Sequence, residues 1–597
     1  MAHASPKTLL LSGNEALAYG AYESGVRVAC AYPGTPSSEI LESLACFEDV
    51  DTQWSVNEKV AFEVALGAAI GGARGLFACK HVGLNVAMDP LMTSSYTGVN
   101  AGFVVVVADD PGMHSSQNEQ DTRWVSLYAK LPLLEPSSPR EAYAFVKEAF
   151  SLSEKYDTPV MVRLTTRVSH TKEDVTVGER SEPAPKPFSP DIAKYVMVPK
   201  NAYARHIRVE ERLEELKSFA ESTDLNTVSY QDENIGFITA GVAYLYVRES
   251  YPQASLLKLG FVHPFCDQKI RDFASRVGEL YVVEELDPFL EEHCKALGLT
   301  VKAKHPSFRI GELRPESIPD LVAGGRKDLN RPPVRKPVLC PGCPHRFVFN
   351  SLKKRKAVVT GDIGCYTLAA TPPMATMHTT ICMGAGVTVH EGFQRALDAA
   401  NRSNAASGVA ERSNGGARPQ VVGVVGDSTF VHSGITGLVN AAYNGVKGLL
   451  IILDNGTTAM TGGQNHPATG RTIRNSETKR LSLEGICRAA GADTVDVIDP
   501  HEYEQMDELI GSRLAEDSLA VIIARSPCRL LEGGRNPAPE YHEDLCRSCG
   551  LCLKIDCPAI EEREDGKISI DRELCAGCYL CVEVCPFEAL TVGAEQT

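Results

Sequence analysis

The 597-residue chain has no apolar run long enough to cross a membrane. Its longest runs, such as Phe103–Ala108 and Leu449–Leu453, fall far short of the roughly 18 residues that a membrane helix needs. They have the length and β-branched content of buried strands. The N-terminal MAHASPKTLLLSGNEAL also lacks a signal-peptide core, since Asn14 and Glu15 end its apolar stretch at once. Basic blocks are missing: Lys+Arg 60 against Asp+Glu 76 leaves −16. That charge argues against a nucleic-acid binder. Cysteines are sparse early, five before Cys340, which excludes a disulfide framework spread along a secreted chain. The expectation is a soluble, cytoplasmic protein with reduced thiols free to bind metal.

What is present is a multidomain composition. At roughly 100–200 residues per domain the length implies several cores. Pro/Gly-rich breaks fall at SEPAPKPFSP (181–190), between Arg314 and Pro337, and at GGRNPAPE (533–540). The polar stretch 401–419 reads as a surface loop. The expected domains are 1–190, 191–330, 331–535 and 536–597. In the first three, apolar runs such as Gly102–Ala108, Ile235–Thr239, Val421–Val425 and Val521–Ala524 alternate with Ala-rich helical segments such as Lys59–Gly72. That alternation predicts an α/β fold of three doubly wound parallel-sheet domains. Sites in such folds lie at the carboxyl ends of the strands. The last piece is short and Cys-rich, so it is expected to fold around metal.

Eight of the 19 cysteines lie in the tail, as Cys546-x2-Cys549-x2-Cys552-x4-Cys557-Pro558 and Cys575-x2-Cys578-x2-Cys581-x3-Cys585-Pro586. Three thiolates at x2 spacing wrap one face of a [4Fe–4S] cube, and the fourth of each run ligates the other cube. One cluster is therefore assigned Cys546, Cys549, Cys552 and Cys585, the other Cys575, Cys578, Cys581 and Cys557. Zinc sites pair two CxxC units and do not need the third Cys or the Cys-Pro. The x4 gap before Cys557 departs from the usual x3.

Val421–Val425 leads into Gly426-Asp427-Ser428, and Leu449–Leu453 into Asp454-Asn455-Gly456-Thr457. This resembles the thiamine-diphosphate motif, a Gly-Asp-Gly strand end followed by Asn-Asn, with Ser428 and Asp454 as departures. Mg2+ takes hard oxygen ligands that it shares with a diphosphate, here Asp427, Asn455 and the Thr457 carbonyl. Read alone, the stretch is also compatible with an ordinary strand-end turn. Glu58 opens an Ala/Gly-rich helix and resembles the glutamate that such enzymes place beside the pyrimidine ring. Read alone, it would be a solvated first-turn carboxylate.

AYPGTPSSE (31–39), CPGCPHR (340–346), GDIGCYTL (361–368), ICMGAG (381–386) and DNGTTAMTGGQNHP (454–467) extend the likeness over nearly the whole chain. Together with the tail they resemble the 2-oxoacid:ferredoxin oxidoreductases. DDPGMHSSQNEQDTR (109–123) resembles the large subunit of the branch acting on indolepyruvate. The resemblance implies CoA-dependent oxidative decarboxylation of an aryl pyruvate to an arylacetyl-CoA and CO2, with ferredoxin taking the electrons. It implies thiamine diphosphate and Mg2+ as cofactors, Gly364 and Gly384 in the diphosphate half, and a smaller β subunit in a dimer of heterodimers. It also implies a third [4Fe–4S] cluster near the thiamine site, on Cys340, Cys343, Cys365 and Cys528. Buried core thiols are the other reading of those four.

Thr35 is a candidate hydrogen-bond donor to substrate, His114 a proton shuttle, and Arg123 a bidentate partner for the substrate carboxylate. His81, His378 and His466 are weaker candidates. Glu284 and Glu285 read as helix-capping or interface residues. The same chemistry on a branched-chain acid or phenylglyoxylate, and a non-catalytic electron-transfer subunit, are the rival readings.

Overall fold

The computed structural model describes residues 7–329, 337–406, 419–533 and 536–593. Residues 407–418 of the expected loop, and parts of the breaks at 314–337 and 533–540, lie outside the described residues. Residues 401–406, expected in that loop, instead continue the helix Ala385–Ala406. The chain forms two compact units, Met1–Pro332 and Pro333–Thr597.

In the first unit a seven-stranded sheet runs Phe261–His263, Leu133–Leu134, Val160–Thr165, Phe103–Asp109, Gly75–Lys80, Val28–Ala31, Asp51–Trp54. Only its first pair is antiparallel. Gly75–Lys80 and Phe103–Asp109 are buried along their whole length, as parallel strands covered on both faces must be. Lys80 pairs with Ala108, so the segments after Ala31, Lys80 and Asp109 leave the same sheet edge. Segment 191–330 builds a second sheet, Glu279–Val283, Asp232–Ala240, Ala254–Leu259, Asn226–Ser229, antiparallel at its last pair. The chain then crosses Gly260 and adds Phe261–His263 to the edge of the first sheet.

In the second unit five parallel strands run Val358–Thr360, Val421–Gly426, Gly448–Asp454, Leu519–Arg525, Thr494–Ile498. Val421–Gly426 is wholly buried. Phe349, Val424, Ile451, Met506 and Ile522 form the core against it, each such side chain contributing about 1.5–3 kcal/mol by burial. The tail adds two antiparallel ribbons, Glu540–Tyr541 with Leu590–Thr591 and Ile560–Glu562 with Ile568–Ile570. Its few apolar side chains, Ile555, Ile568, Leu580 and Leu590, pack with Phe347 and Tyr503. No described helix is long and apolar enough to cross a membrane.

Candidate functional site

The second unit gathers its chemistry at the carboxyl ends of four neighbouring strands. Asp427, 3% exposed, accepts the backbone N–H groups of Ser428 (2.8 Å) and Gly456 (2.9 Å). The latter bond ties the end of Val421–Gly426 to the end of Gly448–Asp454. The Thr457 N–H donates to Asn455 Oδ1 at 3.2 Å, and the Ser428 and Thr458 hydroxyls meet at 3.0 Å. The expected Mg2+ residues Asp427, Asn455 and Thr457 thus share one strand-end pair. Burial pushes the Asp427 carboxyl up, but His466 and the two N–H groups outweigh it and hold it below its ordinary value. Burial and the neighbouring Asp427 push Asp454 up, although Arg525 lies 2.6 Å from it. Two adjacent buried carboxylates are a donor set suited to a hard dication. His466 Nε2 lies 3.2 Å from Asp427, and its buried Nδ1 has no hydrogen-bond partner among the described residues. Such an orphaned polar atom fits a site that receives a polyanion.

The glycine-rich segments are held by a residue that the sequence reading left unassigned. Buried Asp362 accepts N–H from Ile363 (2.7 Å), Gly384 (3.0 Å) and Gly386 (2.8 Å), and burial pushes its carboxyl up to about 6. It fastens the Gly364 segment to the Gly384 segment. A Cβ on Gly384 (φ +87°) would fall 2.7 Å from Ser433 Cβ, and one on Gly426 would fall 2.8 Å from Tyr366 Cε1, so neither position tolerates a side chain. The Tyr366 hydroxyl accepts from Gly426 N–H and donates to the Ile363 carbonyl, both at 2.9 Å. Burial pushes nearby His345 down to about 4.

The cysteines of the three expected sets lie as follows. Cys365 follows Val358–Thr360, and Cys528 follows Leu519–Arg525, its N–H donating to the Asn455 carbonyl at 2.9 Å. Burial raises Cys343 to about 12 and Cys365 to about 11, and neighbouring cysteines push the same way: Cys365 and Cys340 on Cys343, Cys528 and Cys340 on Cys365. In the tail, Cys546, Cys549, Cys552 and Cys585 line one cavity. Cys557, Cys575, Cys578 and Cys581 line another, together with Gly342 and Arg346. Gly342, in the Cys340–Cys343 turn at φ +72°, is pressed on the tail: a Cβ there would fall 2.7 Å from Ala576 Cβ.

In the first unit, Glu58 opens the helix Glu58–Ile70, whose N-cap Asn57 accepts from Val60 N–H at 3.0 Å. It is 7% exposed. A Cβ on Gly83 would fall 2.5 Å from Glu58 Oε1, so only glycine leaves room for that carboxylate. Three residues before Gly83 stands Lys80, absent from the sequence-derived candidates. It is buried, and its Nζ donates to the Ser115 carbonyl (2.6 Å) and hydroxyl (3.3 Å). The Ser115 hydroxyl donates to the Thr35 carbonyl at 3.1 Å. Burial pushes Lys80 down to about 8, against the pull of Asp110. Among the described residues no carboxylate lies within ion-pair distance of it. The signal was a lysine closing the apolar run GLFACK. His81 is buried, with Nε2 3.2 Å from the Asn118 carbonyl.

One candidate is corrected. Arg123 is 1% exposed. It donates to Asp121 (2.8 Å), Glu284 (2.6 Å) and the carbonyls of Glu285 (2.8 Å) and Asp287 (3.2 Å). Its guanidinium is used up inside the protein, joining the two sheets' segments, and has nothing left for a substrate carboxylate. His114 is half exposed and faces Glu312 at 3.2 Å, a carboxylate that also binds Arg167. That places it beside a carboxylate of the Arg167–Glu312 pair. His378 accepts from Val359 N–H at 3.0 Å and anchors an edge strand. Glu284 accepts from Leu290 and Glu291 N–H, capping the helix Phe289–Ala296.

Three family models match the chain: the thiamine pyrophosphate enzyme C-terminal TPP-binding domain over 362–524, the pyruvate flavodoxin/ferredoxin oxidoreductase thiamine-diphosphate-binding domain over 19–217, and a 4Fe-4S binding domain over 568–591. The indolepyruvate oxidoreductase subunit IorA of Archaeoglobus fulgidus is 38% identical over 98% of both chains. That of Methanothermobacter marburgensis is 39% identical over 98% of this chain and 97% of its own. A solved 2-oxoglutarate:ferredoxin oxidoreductase from Magnetococcus marinus aligns at TM-score 0.45 and 17% identity, covering 53% of this chain and 65% of that one.

Proposed function

Because the chain belongs to the indolepyruvate oxidoreductase IorA family, we propose that it is the catalytic subunit for CoA-dependent oxidative decarboxylation of aryl pyruvates. The chain is an oxidoreductase of the 2-oxoacid:ferredoxin type, with thiamine-diphosphate and iron–sulfur domains. The product is an arylacetyl-CoA, with CO2 released and two electrons delivered singly to ferredoxin. A smaller partner subunit completes the enzyme, in a dimer of heterodimers.

When bound, thiamine diphosphate supplies the electron sink for losing CO2 from a 2-oxoacid. The chain's residues do the rest. Asp427, Asn455 and the Thr457 carbonyl would hold Mg2+ with the diphosphate, and Gly364, Gly384 and Gly426 leave the backbone room for it. Glu58 would hold a proton for the cofactor's pyrimidine. Lys80, a buried cation hydrogen-bonded to the Ser115 carbonyl and hydroxyl, takes the substrate carboxylate in place of Arg123, and Thr35 orients the oxo group.

The observation that carries this reading is the bond from Cys528 N–H to the Asn455 carbonyl. It sets a cysteine of the third set directly beside the diphosphate-binding strand end. Oxidation in single-electron steps requires an acceptor there, and Cys340, Cys343, Cys365 and Cys528 supply the ligands for it. The two tail clusters, on Cys546, Cys549, Cys552 and Cys585 and on Cys557, Cys575, Cys578 and Cys581, continue the route.

The test is a panel of 2-oxoacids, assayed anaerobically with the purified heteromer, CoA and a low-potential dye. Indolepyruvate and phenylpyruvate are expected to be turned over best. Faster turnover of pyruvate would overturn the substrate assignment. Absence of thiamine diphosphate from acid-denatured protein would favour a non-catalytic electron-transfer subunit.

A further inference from the structure

Arg346 follows Cys-Pro-Gly-Cys-Pro-His in the first turn of the helix His345–Lys354. It is 1% exposed. Among the described residues no carboxylate lies within ion-pair distance of it. Its guanidinium is held by main-chain carbonyls alone, from two distant parts of the chain. Nη1 donates to the Ile555 carbonyl at 2.7 Å and to that of Asp556. Nη2 donates to the Leu339 carbonyl and, at 3.4 Å, to that of Cys340. Ile555 and Asp556 run into Cys557 of the tail, while Leu339 runs into Cys340 of the strand-end set. One buried side chain therefore clips together the segments that carry two different cysteine sets. Its Nε is buried without a hydrogen-bond partner, and the residue lines the void walled by Cys557, Cys575, Cys578 and Cys581.

A guanidinium stays ionised under all ordinary conditions, and burying one without a counter-charge is strongly unfavourable. Carbonyl dipoles satisfy its N–H groups but do not neutralise it. The missing counter-charge is at hand if both cysteine sets hold clusters, because a cube on four thiolates carries net negative charge that grows on reduction. Net charge and hydrogen bonds near the sulfurs are among the levers that set a cluster's potential.

We propose that Arg346 is the charge-compensating link between the strand-end cluster and the inner tail cluster, a positioning residue that fixes their loops and raises the potential at which the tail cluster is reduced. This rests on the cluster assignment under the proposed function. The experiment separates the two: iron and acid-labile sulfide are counted in the wild-type heteromer before any variant is compared. Iron missing from the wild type removes the cluster assignment itself.

With clusters present, Arg346→Gln and Arg346→Lys are titrated electrochemically with EPR detection in the full heteromer. Arg346→Gln is expected to move a cluster midpoint to more negative potential by at least a tenfold change in the reduction equilibrium, 59 mV for one electron. Arg346→Lys, which keeps the charge, should stay nearer the wild type, and released thiamine diphosphate should not change in either. Loss of cluster iron in Arg346→Gln with retention in Arg346→Lys would support the same conclusion. Unchanged midpoints in an iron-replete Arg346→Gln would overturn it. So would equal shifts, or equal loss of iron, in the two variants, since either outcome makes the geometry matter and the charge not.

Discussion

Lys80 and Cys528 are the residues whose replacement separates binding from redox chemistry. Lys80 holds a buried positive charge between the Ser115 carbonyl and hydroxyl. Lys80→Met should raise KM for the oxoacid at least tenfold, the worth of one charge-assisted contact of about 1.5–3 kcal/mol. Thiamine diphosphate released on denaturation should stay at the wild-type level, and steady-state kinetics beside that measurement decide between substrate binding and general damage. Cys528→Ser should lower iron per chain by one cluster's worth; unchanged iron would remove the third cluster. Both residues show what local sequence conveys. Cys528 was legible because Ser-Pro-Cys sits in a resembling order with three other cysteines. Lys80 was not, because an ordinary lysine becomes a site only when the fold buries it without a carboxylate. Arg123 misled for the converse reason: Glu284, 161 residues away, takes the guanidinium that the sequence alone leaves free.

Between the two sheets of the first unit lies a buried ionic layer. Arg163 binds Asp109 at 2.7 Å and Glu135 at 2.5 Å, Arg123 binds Asp121 and Glu284, and the Lys304 ammonium is held by the Glu284 and Leu286 carbonyls at 2.8 Å. Among the described residues the Glu285 carboxylate has no cation within ion-pair distance and accepts the Leu313 N–H, at 3.0 Å. Burial accordingly raises its carboxyl from 4.5 to about 7. A folded pKa above the unfolded one means that folding takes up a proton. The contribution of Glu285 is complete below 4.5 and is lost as pH climbs through 7. Glu285→Gln should flatten that fall, read as urea midpoints between pH 5 and 8; an unchanged slope would show that another group titrates. The parallel strands on either side were legible, since FVVVVAD and VVGVVG can only be buried runs. Their pairing order was not, and Phe261–His263 joining the first sheet follows from a crossing at Gly260 that no periodicity announces.

Over the whole molecule, chemistry is concentrated at sheet edges and in the tail, and the tail is the part least able to stand without its cofactor. Ile555, Ile568, Leu580 and Leu590 are its main buried apolar side chains, and eight thiols face two voids. Chelating the iron under denaturant-free, mildly acidic conditions should make residues beyond about 536 sensitive to protease while the α/β sheets keep their circular dichroism. A tail that stays resistant would mean that its ribbons and its packing on Phe347 and Tyr503 suffice. The skew of cysteine toward the C-terminus was the plainest message of the sequence, because x2 spacing is a chemical rule that needs no fold to be read.

The contact between Gly342 and Ala576 has one consequence beyond packing. Electrons cross protein by tunnelling, and the intervening matter acts as insulation whose thickness governs the rate. Gly342 lies between Cys340 and Cys343, and Ala576 between Cys575 and Cys578; the Ala576 methyl occupies the space that a side chain at Gly342 would need. In the proposed route the smallest residue available stands between the two cysteine sets, and a larger one there would push their loops apart and thicken the barrier at that point.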